Sequence, residues 1–88
     1  MSKGKHTVKQ NETLSHVAKQ HYGKVDYWKG LVKANKDIIK KYDFNSGYVL
    51  ITPGQQLDLP SDLTVKAYTD NINEQINLLG ADHVTFDS

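Results

Sequence analysis

Apolar residues along this chain recur with two different periods, and the switches between them set out the elements. Thr7-Val8-Lys9-Gln10 alternates in the manner of a short strand. Asn11-Glu12 then turns the chain into a stretch whose Leu14, Val17, Ala18 and Tyr22 fall at i, i+3, i+4 and i+8, one face of a helix. Thr13 is placed to accept a backbone N–H in the first turn, and Gly23 to end the helix. A second helix opens at Asp26 and shows Trp28, Leu31, Val32 and Asn35 at i, i+3, i+4 and i+7. Gly30 lies inside it, where glycine costs roughly 0.5–1 kcal/mol against alanine, so a close approach to the other helix or to the sheet is expected there. Leu50-Ile51-Thr52-Pro53-Gly54-Gln55-Gln56-Leu57-Asp58-Leu59-Pro60 reads as a turn joined to a second strand. The expected architecture is α+β, in the order strand, helix, helix, strand, with the strands paired as a two-stranded antiparallel sheet.

The rest of the chain carries patterns of its own. Leu63-Thr64-Val65-Lys66-Ala67-Tyr68 alternates like a strand, and His83-Val84-Thr85-Phe86 resembles another. Between them Ile72, Ile76 and Leu79, with Asp70 as cap and Gly80 as stop, predict a short amphipathic helix. An apolar face must be buried on the preceding unit, on a second copy or on a partner. Packing within the chain is the first reading, and a protein partner at Ile72, Ile76 and Leu79 the other. The organisation is thus a lead of residues 1–5, a domain at 6–60 and a C-terminal extension at 61–88.

Length and composition narrow the function classes. An 88-residue domain buries only roughly 60–65% of the surface of its unfolded chain, which leaves little depth for an enclosed active site. Without cysteine there is neither a disulfide framework nor a thiolate metal site. Charge is uneven: ten lysines against Glu12, Asp26, Asp37, Asp43 and Asp58 give residues 1–60 a balance of +5, whereas Lys66 against Asp62, Asp70, Glu74, Asp82 and Asp87 gives residues 61–88 a balance of −4. The extension is expected to fold back on the basic part, to meet a basic partner, or to be a solvated face. All eleven cationic residues are lysine, so the arginine fork that reads guanine and clamps phosphate is missing, and the run Lys33, Lys36, Lys40, Lys41 is read as a solvated helix face rather than a nucleic-acid site. Met1-Ser2-Lys3-Gly4-Lys5 leads into a polar strand with no apolar signal stretch and no membrane span follows, so synthesis in the cytoplasm is expected, with cell-wall contact only after lysis or within a particle.

Taken in order, Thr13-Leu14 after a Thr-Val strand, Tyr22-Gly23, Ala34-Asn35 and Pro53-Gly54-Gln55-Gln56-Leu57-Asp58-Leu59-Pro60 resemble a LysM domain over residues 6–60. The resemblance implies a βααβ unit that binds polymers of N-acetylglucosamine, such as peptidoglycan or chitin, without cleaving them. It also implies a shallow glycan groove between two loops: Asn11, Glu12, Thr13 and Leu14 on one side, and Leu50, Ile51 and Thr52 on the other. A turn flanked by Leu14, Leu50 and Ile51 offers an amide and an apolar surface to an N-acetyl group. Asn11-Glu12 stands where the family usually has Gly-Asp, and Thr52 where it often has an aromatic; asparagine tolerates a left-handed turn. The connection from Asn35 to Pro53 is longer than usual and carries Tyr42, Phe44 and Tyr48, read first as cover for the core and otherwise as platforms for sugar rings.

Catalysis is not expected. His16 and His21 are five apart and do not share a face as metal ligands at i, i+4 would. Pairing Glu12 with Asp58 or Asp43 as glycosidase carboxylates would need a cleft able to distort a sugar ring, and Ser15 has no Gly-x-Ser-x-Gly frame. No metal or other cofactor is implied. Two classes remain: a non-catalytic module for N-acetylglucosamine polymers, or a LysM protein used as a structural adaptor in the baseplate of a phage tail or contractile injection machine, with the extension meeting tail proteins.

Overall fold

The computed structural model describes residues 2–86. Strand β1 (Gly4–Thr7) pairs antiparallel with β2 (Gln56–Leu59), Gly4 opposite Leu59 and Thr7 opposite Gln56. Helices α1 (Leu14–Tyr22) and α2 (Trp28–Ala34) lie between them in sequence, and α3 (Asp62–Leu79) follows β2 directly. This is the small α+β unit with a two-stranded sheet that the periodicity predicts, plus an extension. β1 is shifted, however, ending where Thr7–Gln10 was expected to begin, whereas β2 lies within the turn-and-strand segment 50–60 as expected. Val8 still exchanges backbone hydrogen bonds with the second segment, donating to Gln55 O at 2.8 Å and accepting from Gly54 N at 2.9 Å. Pairing then stops because Lys9–Glu12 closes a turn.

Local chemistry sets the ends of α1 as the sequence predicts. Thr13 Oγ1 accepts the His16 N–H at 3.2 Å, and Gly23 takes the left-handed conformation that a side chain disfavours, φ 76°. Asp26 does not cap α2. A 3-10 turn at Val25–Tyr27 precedes that helix, and the Asp26 carboxylate instead accepts from Lys29 Nζ and Asn73 Nδ2, both at 2.8 Å.

One side chain ties α2 to the sheet. Asn35 is buried; its Nδ2 donates to Leu31 O at 2.9 Å and Asp58 O at 3.0 Å, while its Oδ1 accepts from Asp58 N at 2.7 Å. The arrangement satisfies the Asp58 backbone on the side of β2 that β1 does not reach. Asn35→Ala is therefore expected to lower stability by about 2 kcal/mol, because it strands a buried N–H and C=O as well as removing the bonds. A urea titration that found the variant as stable as the parent would contradict this role.

The extension differs most from its expected form. Leu63–Tyr68 is not a strand: Asp62–Leu79 is one continuous 18-residue helix, capped at Ser61, whose Oγ accepts the Thr64 N–H at 3.2 Å. Asp70 therefore lies mid-helix and caps nothing; it pairs with Lys66 one turn back. Val65, Thr69 and Ile72 form the buried stripe, spaced four and three apart as a helix requires. His83–Phe86 is no strand either; a 3-10 turn at Ala81–His83 is followed by irregular chain. The acidic extension does fold back: Asp62 pairs with Lys3 at 2.8 Å, and Lys29 Nζ donates to Asn73 Oδ1 at 2.7 Å.

The core gathers Val8, Leu14, Val17, Ala18, Trp28, Leu31, Val32, Ile39, Leu57, Leu59 and Val65. From the long connection, Phe44 packs on Trp28 with ring centres 5.5 Å apart, Tyr42 lies on Phe44 at 5.2 Å, and Phe86 of the extension stacks on Tyr42 at 5.7 Å. Covering the core is thus what Phe44 does, whereas Tyr48 takes no part in the stack.

Candidate functional site

The two loops named from the resemblance are neighbours because Val8 bonds both Gly54 and Gln55 just before the chain enters the Lys9–Glu12 turn. Asn11 adopts the left-handed conformation, φ 65°, the one non-glycine residue to do so among the described residues. Its side chain is exposed. Thr13 serves as the helix cap, so its hydroxyl oxygen already accepts one bond. Leu14 faces inward and belongs to the core. In the second loop Leu50 is 46% exposed, Ile51 packs partly against the core, and Thr52 is exposed. Thr52 closes the turn with Gln55, donating its N–H to Gln55 Oε1 at 2.7 Å and accepting from Gln55 N at 3.0 Å. Asn11, Thr13, Leu50 and Thr52 are therefore the surface members of the predicted set; Leu14 holds the loop from beneath.

Glu12 is used differently from the sequence expectation. Its side chain is only 5% exposed and accepts from His6 Nε2 at 2.7 Å and from the Lys9 N–H at 3.1 Å. His6, an inward-facing residue of β1, continues the chain: its Nδ1 lies 3.0 Å from His21 Nε2 in the last turn of α1. The His21 carbonyl oxygen in turn accepts from Lys3 Nζ at 2.5 Å. A proton on His6 Nε2 facing the carboxylate leaves Nδ1 to accept from His21 when His6 is neutral, or to donate to it when His6 is charged. Burial would raise the Glu12 pKa, but the His6 bond, the Lys9 N–H and the charges of His6 and His16 outweigh it and hold the carboxyl below its ordinary value. His21 is also lowered, by burial first and then by the nearby charges of His6 and Lys3, against the opposing pull of Glu12. Position in sequence hid this chain of bonds, although a histidine at an inward strand position was a signal for a buried partner.

Ile72, named as a partner contact, is fully buried in the protein's own interior; Ile76 is half-buried and Leu79 exposed. Only the end of that face is open. Exposed apolar surface on α3 comes instead from Leu63, Leu78 and Leu79.

Two depressions lie away from the paired loops. One, about 270 Å³, borders Gly4, Leu59 and Tyr68. A larger open one of about 520 Å³ lies between the Tyr42–Tyr48 turn and residues 81–84, with Lys40, Lys41, Asp43 and Asp82 at its polar edge. Among the described residues no group of three or more histidine, aspartate or glutamate side chains is arranged to hold a metal ion, and no helix is long and apolar enough to cross a membrane.

Similarity to known proteins is limited. No family model matches the chain, and no solved structure matches it. A curated protein of Escherichia coli, potassium binding protein Kbp, is 37% identical over 57 residues, which is 65% of this chain and 34% of that protein. The chain thus spans about a third of the length of the curated relative it matches.

Proposed function

We propose that the chain is a non-catalytic module that binds polymers containing N-acetylglucosamine, of the peptidoglycan or chitin type. The observation that carries the reading is the pair of turns coupled through Val8, which sets a left-handed Asn11 and an exposed Leu50 and Thr52 at one end of the sheet. An exposed leucine suits an acetyl methyl, and the polar side chains suit hydroxyl and amide groups. Potassium binding is named for a protein of which this chain matches a third, and is not carried over.

An NMR titration with a soluble N-acetylglucosamine oligomer tests it. Saturable amide shifts are expected at Asn11–Leu14 and Leu50–Thr52. With the fold intact, no saturable shift anywhere at millimolar sugar would overturn the reading.

The adaptor role in a phage tail or contractile injection baseplate is supported by a different observation, the exposure of the adjacent Leu78 and Leu79 at the end of α3. Sedimentation separates the two. A wall-binding module goes down with insoluble peptidoglycan, whereas an adaptor stays in the supernatant and joins protein assemblies through α3.

A further inference from the structure

We propose that the depression beside Tyr48 is a second carbohydrate subsite, so that a sugar polymer lies along the chain from the paired turns to the Tyr48 ring. The proposal rests on the reading of the chain as a module for N-acetylglucosamine polymers, and it gives the C-terminal extension a part in that function.

The path is drawn by alternation. Val49 and Ile51 pack against the core, while Tyr48, Leu50 and Thr52 are exposed, so the exposed three share one side of an extended segment. From Tyr48 to Thr52 that side runs about 13 Å at roughly 3.3 Å per residue, longer than one pyranose ring. Thr52 sits at the paired turns and Tyr48 at the depression. A single sugar cannot touch both ends; an oligomer can.

Tyr48 suits a sugar ring. It is 54% exposed and stays outside the stack formed by Trp28, Phe44, Tyr42 and Phe86, so its ring is not committed to the core. Its backbone is fixed all the same: Tyr48 O accepts from Asp43 N at 2.7 Å, and Tyr48 N donates to Ser46 Oγ at 3.2 Å. A backbone held in place before binding leaves less freedom to be lost when a ligand settles on the ring.

The edge of the depression fits an uncharged polyol better than an ion. Lys40, Lys41, Asp43 and Asp82 all border the depression, two charges of each sign. Asp43 accepts from Asn45 N and Ser46 Oγ, and Asp82 from Asn45 Nδ2, which orients both carboxylates without using all of their acceptor sites. Hydroxyl groups can donate to these oxygens and accept from the lysines, while the C–H face of the sugar lies on Tyr48. Ala81 and Val84 form the facing wall, held there by the stacking of Phe86 on Tyr42.

The test is a chain-length series of N-acetylglucosamine oligomers from two to six residues, titrated against the intact protein and its Tyr48→Ala and Tyr48→Phe variants by calorimetry and amide NMR. The parent should bind the longest oligomer about tenfold more tightly than the shortest, with shifts reaching Tyr48, Asp82 and Val84. Tyr48→Ala should reduce that length gain to within twofold, and Tyr48→Phe should restore it. Shifts confined to Asn11–Leu14 and Leu50–Thr52, with affinity independent of length in all three proteins, would overturn the second subsite and leave the module itself standing. An absence of shifts in every protein would remove both.

Discussion

Gly30→Val is expected to remove about 4 kcal/mol of stability, a large part of the roughly 4–13 kcal/mol available to a domain of this length, and Gly30→Ala about 2 kcal/mol. A β-carbon at this position would stand 2.6 Å from Thr69 Oγ1, 2.6 Å from the Val65 carbonyl oxygen and 2.8 Å from Val65 Cγ2. The hydroxyl and the methyl can swing aside, but the carbonyl belongs to the backbone of α3 and moves only if the helix does. Gly30 is in α2, and its backbone is helical rather than left-handed, so alanine would ordinarily gain 0.5–1 kcal/mol there. Contact with α3 reverses that sign. The same site holds a buried hydrogen bond, Gly30 N to Thr69 Oγ1 at 3.1 Å, which any separation of the helices would lengthen. Urea denaturation of the three proteins gives the order directly. An alanine variant as stable as the parent would mean that α3 is not held as closely as the structure places it.

That contact also explains which parts of the fold were legible in the sequence. Gly30 announced a close approach, but to the other helix or the sheet, whereas the element packed against it is α3 of the extension. The ends of α1 were legible because Thr13 and Gly23 act through local backbone chemistry. Asn11 in a turn was legible for the same reason. The 18-residue α3 was not, because its buried stripe of Val65, Thr69 and Ile72 includes a polar residue. Thr69 breaks the apolar period on paper, while in the fold its hydroxyl is consumed by the Gly30 N–H. Leu63, meanwhile, is largely exposed and lent the segment a false alternation. At the candidate site, the adjacency of the two turns followed from pairing the strands, but the fate of Glu12 did not. An acidic residue in a turn reads as solvated; its inward rotation depends on His6 in β1 and, beyond it, on His21 fifteen residues away in α1.

Those three residues give the protein an acid limit. Stability is expected to be level above about pH 6.5 and to fall below it in two stages. His21 binds its proton less readily in the folded protein than at its ordinary value of 6.5, so the unfolded chain holds more protons just below that pH. Its contribution is complete above 6.5 and is lost as the pH falls through the lowered folded value. Glu12, lowered from 4.5, acts in the same direction further down: its contribution is complete above 4.5 and disappears as the carboxylate is protonated in the folded state. Geometry adds a reason for the first stage. One extra proton can be shared between His6 and His21, but a second places two N–H groups against each other across 3.0 Å. The other charges nearby are Lys3, bonded to the His21 carbonyl and paired with Asp62, and His16 near Glu12. His6→Leu removes the donor from a side chain that is 5% exposed and leaves the Glu12 carboxylate with the Lys9 N–H alone. The expected cost is about 3 kcal/mol at pH 7, with a flatter pH profile below it because Glu12 then titrates closer to its ordinary value. Glu12→Gln keeps an oxygen for the His6 N–H, costs about 1 kcal/mol and removes the Glu12 share of the lower stage, leaving that of Asp26 and Asp43, whose carboxyls are also held below their ordinary value. Urea midpoints measured from pH 2 to 8, with the imidazole signals of His6 and His21 followed by NMR, test both stages. A His6→Leu protein with the stability and pH profile of the parent would show that the buried chain of bonds contributes nothing. Because Glu12 anchors the turn that carries Asn11, the proposed binding of N-acetylglucosamine oligomers should weaken along the same acid limb.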